Sequence, residues 1–206
     1  MPLIRDYFVF HLQHHYSNCP ETLYDEIDRA YREAADILTE DIRYYPHYTS
    51  FSGKEADLIK IIEFNVSAEA VLLYRIEHAL YVTDPAHPLL PYLSNLMTIR
   101  CGAKIYYTTE IGPGFRVLHS YGIVLGPGNS IGSNFSIYQN VTIGQRRLLS
   151  PTDKVCIGDN IQLFAGCKVL GSLNIGSGTS VAANAVLLTD AEPDSVYAGI
   201  PAVKIK

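Results

Sequence analysis

From residue 105 onward, aliphatic residues recur every six positions. Ile105, Ile111 and Val117 form one run. Leu125, Ile131, Ile137 and Ile143 form a second, and Ile157, Leu163, Val169, Ile175, Val181 and Leu187 a third. Neither a helical period of 3.6 nor a strand period of 2 with ordinary turns generates that spacing. A six-residue repeat is the signature of a parallel β-helix, in which three repeats make one triangular coil and each aliphatic side chain enters a stacked core. Small residues follow several inward positions, as in LGPGNS, IGSNFS and IGSGTS, because the chain turns a corner there. Hexapeptide coils of this kind wind left-handed, against the crossover rule of ordinary parallel sheets.

The first half has a different period. Leu23, Ile27, Ala30, Ala34, Ile37, Leu38 and Ile42 recur at three or four residues, which predicts a helix over 20–45 with Pro20 in its first turn. A second helix is expected from Ser52, with Glu55 completing a capping box. A third, AEAVLLYRIEHALYV, is expected to be capped by Ser67, and a fourth, LLPYLSNLMTIR, follows the DPAHP break at 84–88. The expected fold is α+β: a helical domain over 1–102, then a left-handed parallel β-helix over 103–206 with a loop extruded at 144–154.

Composition excludes several classes. With 16 basic and 21 acidic side chains the chain carries a net charge of -5, so it lacks the basic footprint of a nucleic-acid binder. Residues 103–206 are slightly positive, which would suit an anionic ligand. No stretch of 18 apolar residues exists, so no membrane span is expected. The N-terminus lacks a signal peptide's apolar core. The four cysteines, Cys19, Cys101, Cys156 and Cys167, show no metal-ligand spacing and read as reduced, mostly buried thiols of a cytoplasmic protein. HLQHH near the N-terminus has no acidic partner at ligand spacing, and no metal is expected.

Two interruptions of the six-residue register stand out. Val117 to Leu125 is eight residues, so two extra residues enter a turn that contains His119, the one histidine after residue 100. Ile143 to Ile157 is fourteen residues, read as two six-residue steps plus two, with the insert GQRRLLSPTDK thrown outward. Long loops on rigid scaffolds often carry function.

The segments AVLLYRIEHALY, IGPGFRVLHSYGIVLG, SIYQNVTIG and CIGDNIQLFAGCKVLGSLNIGSG, with the ending VYAGIPAVKI, resemble the hexapeptide-repeat acyltransferase superfamily. The resemblance covers roughly 67–206 and is closest to its serine acetyltransferase and polysaccharide O-acetyltransferase branch. It implies direct acetyl transfer from acetyl-CoA to a hydroxyl of a small acceptor, without an acyl-enzyme. An imidazole that titrates near neutrality suits the general base of such a step, and His119 matches the family's base. The resemblance places Gly144, Ala165, Gly166, Ala183 and Lys204 along the coenzyme A groove, with Lys168 as a further phosphate contact. Arg146 and Arg147 are expected to contact phosphate or acceptor, or to be exposed loop charge. A homotrimer sharing its coenzyme A grooves is implied, with a dimer of trimers as the alternative.

Three features depart from the serine enzymes of that branch. Lys104 stands where they carry the aspartate that orients the base, and Glu110 or a backbone carbonyl are alternative acceptors for the imidazole. Leu118 replaces the aspartate used for the substrate's amino group. Asp153 and Lys154 replace the Arg-His pair that holds its carboxylate. These departures favour a sugar hydroxyl as acceptor, with true serine O-acetylation as the alternative and an inactive binding or assembly solenoid as a third reading. A carbonic-anhydrase-like solenoid needs several zinc-binding histidines on the coils, and one cannot supply them. Cys167, at an inward position, reads as a core residue rather than a nucleophile.

Overall fold

The computed structural model describes residues 3–17, 20, 23–146 and 153–206. Cys19, Arg147 and the loop residues 147–152 lie outside that set. Five helices come first: α1 (Leu3–His15), α2 (Tyr24–Tyr44), α3 (Glu55–Phe64), α4 (Val66–Thr83) and α5 (Leu90–Cys101). The repeats then build a three-faced, left-handed parallel β-helix. Face A stacks β1 (Lys104–Ile105), β4 (Val124–Leu125), β7 (Thr142–Gly144), β10 (Lys168–Leu170) and β13 (Val186–Leu187). Face B stacks β2 (Glu110–Ile111), β5 (Ser130–Ile131), β8 (Val155–Ile157) and β11 (Leu173–Ile175). Face C stacks β3 (Arg116–Leu118), β6 (Ser136–Tyr138), β9 (Gln162–Leu163), β12 (Ser180–Val181) and β14 (Val196–Ala198). β15 (Val203–Lys204) closes it antiparallel to β14.

All thirteen hexapeptide positions are buried, none more than 5% exposed. The residue two before each also faces inward. There Phe115 stacks on Phe135 with ring centroids 5.7 Å apart, and Asn129 is buried with its amide donating to the Gly126 carbonyl (2.7 Å) and accepting from Val155 N–H (3.0 Å). The fourteen-residue gap corrects the expected coil count. Ile143 lies on face A and Ile157 on the next face, B, so the gap replaces one six-residue step and the insert carries eight extra residues rather than two.

The helices pack on the first coil around α4, which is buried continuously from Ser67 to Glu77, as a helix inside a core must be. Two of the expected caps shift. Asn65, not Ser67, caps α4, its Oδ1 accepting from Ser67 N–H (3.1 Å) and Ala68 N–H (3.2 Å). α3 starts after Lys54, and Glu55 accepts from the Ile4 N–H rather than closing a box with Ser52. α2 begins at Tyr24, later than Pro20, and α1 is a helix that the apolar spacing did not announce. Arg75 of α4 forms a buried pair with Asp41 of α2 (2.7 Å) and donates to the carbonyls of Ile111 (2.6 Å) and Gly112 (2.7 Å). Asp41 also accepts the Phe115 N–H (2.7 Å). One ion pair thus fixes the helices to the turn between faces B and C.

Candidate active site

The turns from face C to face A explain where the histidine goes. In the later coils this turn is short: Tyr138-Gln139-Asn140, Phe164-Ala165-Gly166 and Ala182-Ala183-Asn184. Each ends on a residue of positive φ, Asn140 (58°), Gly166 (74°) and Asn184 (58°), conformations that Gly and Asn accept at least cost. In the first coil the same turn runs Leu118-His119-Ser120-Tyr121-Gly122, two residues longer, and again ends on a positive φ at Gly122 (73°). The surplus is taken up at His119, itself left-handed at φ 55° and exposed. A histidine with this backbone is uncommon and marks a position held by its surroundings.

Those surroundings are the helices. Ser120 N–H donates to Oγ of Ser67 (3.2 Å), and Ser120 Oγ–H donates to the Cys101 carbonyl at the end of α5 (2.7 Å). Gly122 N–H donates to the Gly102 carbonyl (2.8 Å). The serine expected to cap α4 instead pins the loop that carries the imidazole. Tyr45 adds a clamp on the strand before it, its hydroxyl donating to the Val117 carbonyl (2.9 Å) and accepting from Val117 N–H (3.0 Å).

The structure brings four of the nominated residues to one edge. His119, Ala165, Gly166 and Ala183 all lie on the C-to-A corner, with the small residues half-buried or exposed. Gly144 and the described part of the loop lie on the next corner, A to B, with face A between. There Arg146 N–H donates to Asp153 (3.0 Å), and Arg146 and Lys154 are exposed. Lys204 stands on β15, paired with Glu192 at 2.6 Å. Lys168 donates to the Asn140 carbonyl at the corner. Lys104 is exposed, its ammonium 5.2 Å from the Tyr106 ring centroid. Cys167 is fully buried, and burial pushes its thiol up to about 12, which suits a core residue. Cys156 faces outward from face B and is exposed, the exception beside buried Cys101 and Cys167.

No family model matches the chain. The serine acetyltransferase of Synechococcus elongatus is 34% identical over 135 residues, 65% of this chain and 54% of that protein. The serine acetyltransferase of Staphylococcus aureus is 31% identical over 148 residues, 72% of this chain and 69% of that protein. The chain belongs to the serine acetyltransferase family. It spans about half the length of the Synechococcus relative and about two thirds of the staphylococcal one. Among solved structures, soybean serine acetyltransferase complexed with serine superposes with a TM-score of 0.76 at 27% identity, over 98% of this chain and 84% of that one. A serine acetyltransferase in complex with CoA superposes with a TM-score of 0.75 at 26% identity, over 90% and 77%.

Within this member of the serine acetyltransferase family, several features at the corner escaped the sequence reading. Leu118 pairs with Tyr138 across face C, and Tyr138 stacks on Phe164 with centroids 5.2 Å apart and planes 28° apart. These three half-buried side chains form an apolar ledge directly before the histidine. Their register could have been found by counting, since each stands one residue after an inward aliphatic position. Glu77 of α4 is fully buried, and neither carboxylate oxygen has a hydrogen-bond partner among the described residues. Burial pushes its pKa well above the ordinary 4.5, against the pull of Lys104. A hydropathy count cannot flag such a residue. Among the described residues no group of three His, Cys, Asp or Glu side chains is placed to hold a metal ion, and no helix is long and apolar enough to cross a membrane.

Proposed function

We propose that the chain is an acetyl-CoA-dependent O-acetyltransferase in which His119 is the general base. One observation carries the reading. Where the later coils turn in three residues, the first turns in five, and the surplus presents an exposed imidazole beside a row of small residues. His119 takes the acceptor's hydroxyl proton as that oxygen attacks the thioester carbonyl carbon. The C–S bond then breaks, and the departing thiolate takes the proton back from the imidazolium. General-base assistance of this kind contributes about 10²–10⁴-fold. Ala165, Gly166 and Ala183 leave the corner open for the pantetheine arm, with Lys168 and Lys204 as phosphate contacts, the latter at the expense of its pairing with Glu192.

L-serine is the acceptor that family membership supports best, because the relatives are serine acetyltransferases and the soybean structure holds serine. The sugar preference read from Leu118, Asp153 and Lys154 finds no support in those comparisons. It remains the second reading on one local observation: the Leu118–Tyr138–Phe164 ledge offers a ring face and no carboxylate for an ammonium. Thiol release from acetyl-CoA, measured with L-serine against free hexoses and nucleotide sugars, decides between them. Turnover with serine at ordinary rates establishes the first reading. Turnover confined to sugars establishes the second, and none with any acceptor would sink both.

The unit we propose is a homotrimer, with a dimer of trimers as the larger form. Arg146, Asp153 and Lys154, with Gly144 at their base, lie across face A from His119 of the same chain, and the threefold arrangement that the family resemblance implies would set them against the next copy's histidine. The setting is cytoplasmic, in keeping with the unpaired thiols of Cys101, Cys156 and Cys167. Light scattering reads the assembly, and an active monomer would overturn it.

A further inference from the structure

A general base needs its second ring nitrogen held, so that the imidazole keeps one tautomer and one orientation. Lys104 stands where the resemblance expects a carboxylate for that purpose, and an ammonium cannot accept the bond. Glu110 lies at the start of face B, away from the C-to-A corner. Among the described residues the imidazole of His119 has no hydrogen-bond partner.

The register names another acceptor. His119 is two residues past inward Val117, and Gln139 is two residues past inward Ile137. Leu118 pairs with Tyr138 on one side of this step, and Asn140 N–H donates to the Tyr121 carbonyl (2.9 Å) on the other. Gln139 is therefore bracketed against the His119-Ser120-Tyr121 bulge of the preceding coil. Its side-chain oxygen is buried and has no hydrogen-bond partner among the described residues. A desolvated amide oxygen without a donor is costly. The neighbouring donors are engaged elsewhere. Ser120 Oγ–H goes to Cys101, Lys168 to the Asn140 carbonyl and Gly166 N–H to the Gln139 carbonyl (2.9 Å).

We infer that Gln139 is the positioning residue for His119: its side-chain oxygen accepts the imidazole N–H when substrates close the corner, in the role Lys104 cannot fill. Catalytic hydrogen bonds are often slack before substrates arrive. The inference rests on the assignment of His119 as base, and the test separates the two. Steady-state thiol release is measured for the intact protein, His119→Ala, Gln139→Met and Gln139→Glu. Methionine keeps the length but removes the acceptor, and glutamate restores it. The expected result is loss of turnover in His119→Ala. In Gln139→Met, kcat falls about 10- to 100-fold, the scale on which partners that orient a metal-bound histidine act, with an unchanged KM for acetyl-CoA. Gln139→Glu recovers most of the loss. If His119→Ala stays active, the assignment of the base fails. If His119→Ala is dead but Gln139→Met is as active as the intact protein, or Gln139→Glu does not recover, the inference fails alone. A readout that needs no Gln139 variant is the ¹⁵N spectrum of the imidazoles in the substrate-saturated protein, with His119 assigned by its absence in His119→Ala. One ring tautomer is expected, and an even mixture would overturn the inference.

Discussion

Two corners of the same prism are built on opposite principles. At the B-to-C corner every turn is short, and the glycines following Ile111, Ile131 and Ile157 stack directly on one another. A Cβ added to Gly112 would stand 2.9 Å from the backbone of Gly132, and one on Gly132 would stand 2.9 Å from Gly158. The Arg75–Asp41 pair seals the top of this corner. At the C-to-A corner the first turn is two residues too long, opens outward, and is held by two serine hydrogen bonds rather than a buried ion pair. A repeat whose every turn is filled has no room for chemistry. The departure from regularity supplies it, and the helices exist at that point to hold the departure still.

The contrast can be broken at either corner. The largest effect on stability is expected from Asp41→Ala, which leaves a guanidinium buried without its partner. Removing one member of a buried pair costs about 3–5 kcal/mol, and thermal or denaturant unfolding reads it. A loss under about 1 kcal/mol would mean that the closed corner does not depend on this pair. Gly132→Ala comes next, at about 1–3 kcal/mol, the usual cost of overpacking, because backbone atoms cannot yield to the new methyl. Gly144→Ala, on the A-to-B corner, is the control outside that comparison. Its Cβ would meet nothing closer than 3.8 Å, so stability stays within about 0.5 kcal/mol while the KM for acetyl-CoA rises.

Ser67→Ala sharpens the contrast further. Losing one hydrogen bond costs about 1 kcal/mol, but the lost bond holds the His119 loop, so kcat is expected to fall more than stability implies. An effect on stability alone would show that the loop holds itself. The smallest effect concerns Glu77. The unfolded chain ionises this carboxyl near 4.5, whereas the folded chain keeps it protonated well above that. Between the two the native state binds more protons, so stability falls as pH rises. Glu77→Gln removes that slope. Its gain in Tm over the native chain should grow from pH 5 to pH 8, and a gain independent of pH would contradict the assignment.

The inward aliphatic positions were legible because one six-residue step repeats one geometry, so Ile105 predicts Ile111 and all that follow. His119 was legible for the same reason, as the place where the step fails. The loop after Ile143 was misjudged because fourteen residues fit either two steps plus two or a single step plus eight. Only the pairing of Ile131 with Ile157 decides, and pairing is not a property of either segment alone. Ser67 and Asn65 exchanged roles because both are good caps within two residues of each other, and the choice fell to Ser120, fifty-three residues downstream. Arg75, Asp41 and Glu77 act through burial that only the packed helices create. Gln139 was open to counting, but an unpartnered oxygen shows only in three dimensions.

The claim that the open corner carries the chemistry stands or falls on one substitution. His119→Ala should lower acetyl-CoA turnover by about 10²–10⁴-fold while coenzyme A binding, measured by calorimetry on the same preparation, and the unfolding midpoint stay unchanged. Turnover within a few-fold of the native chain, with binding intact, would place the reaction elsewhere and leave the lengthened turn without a function.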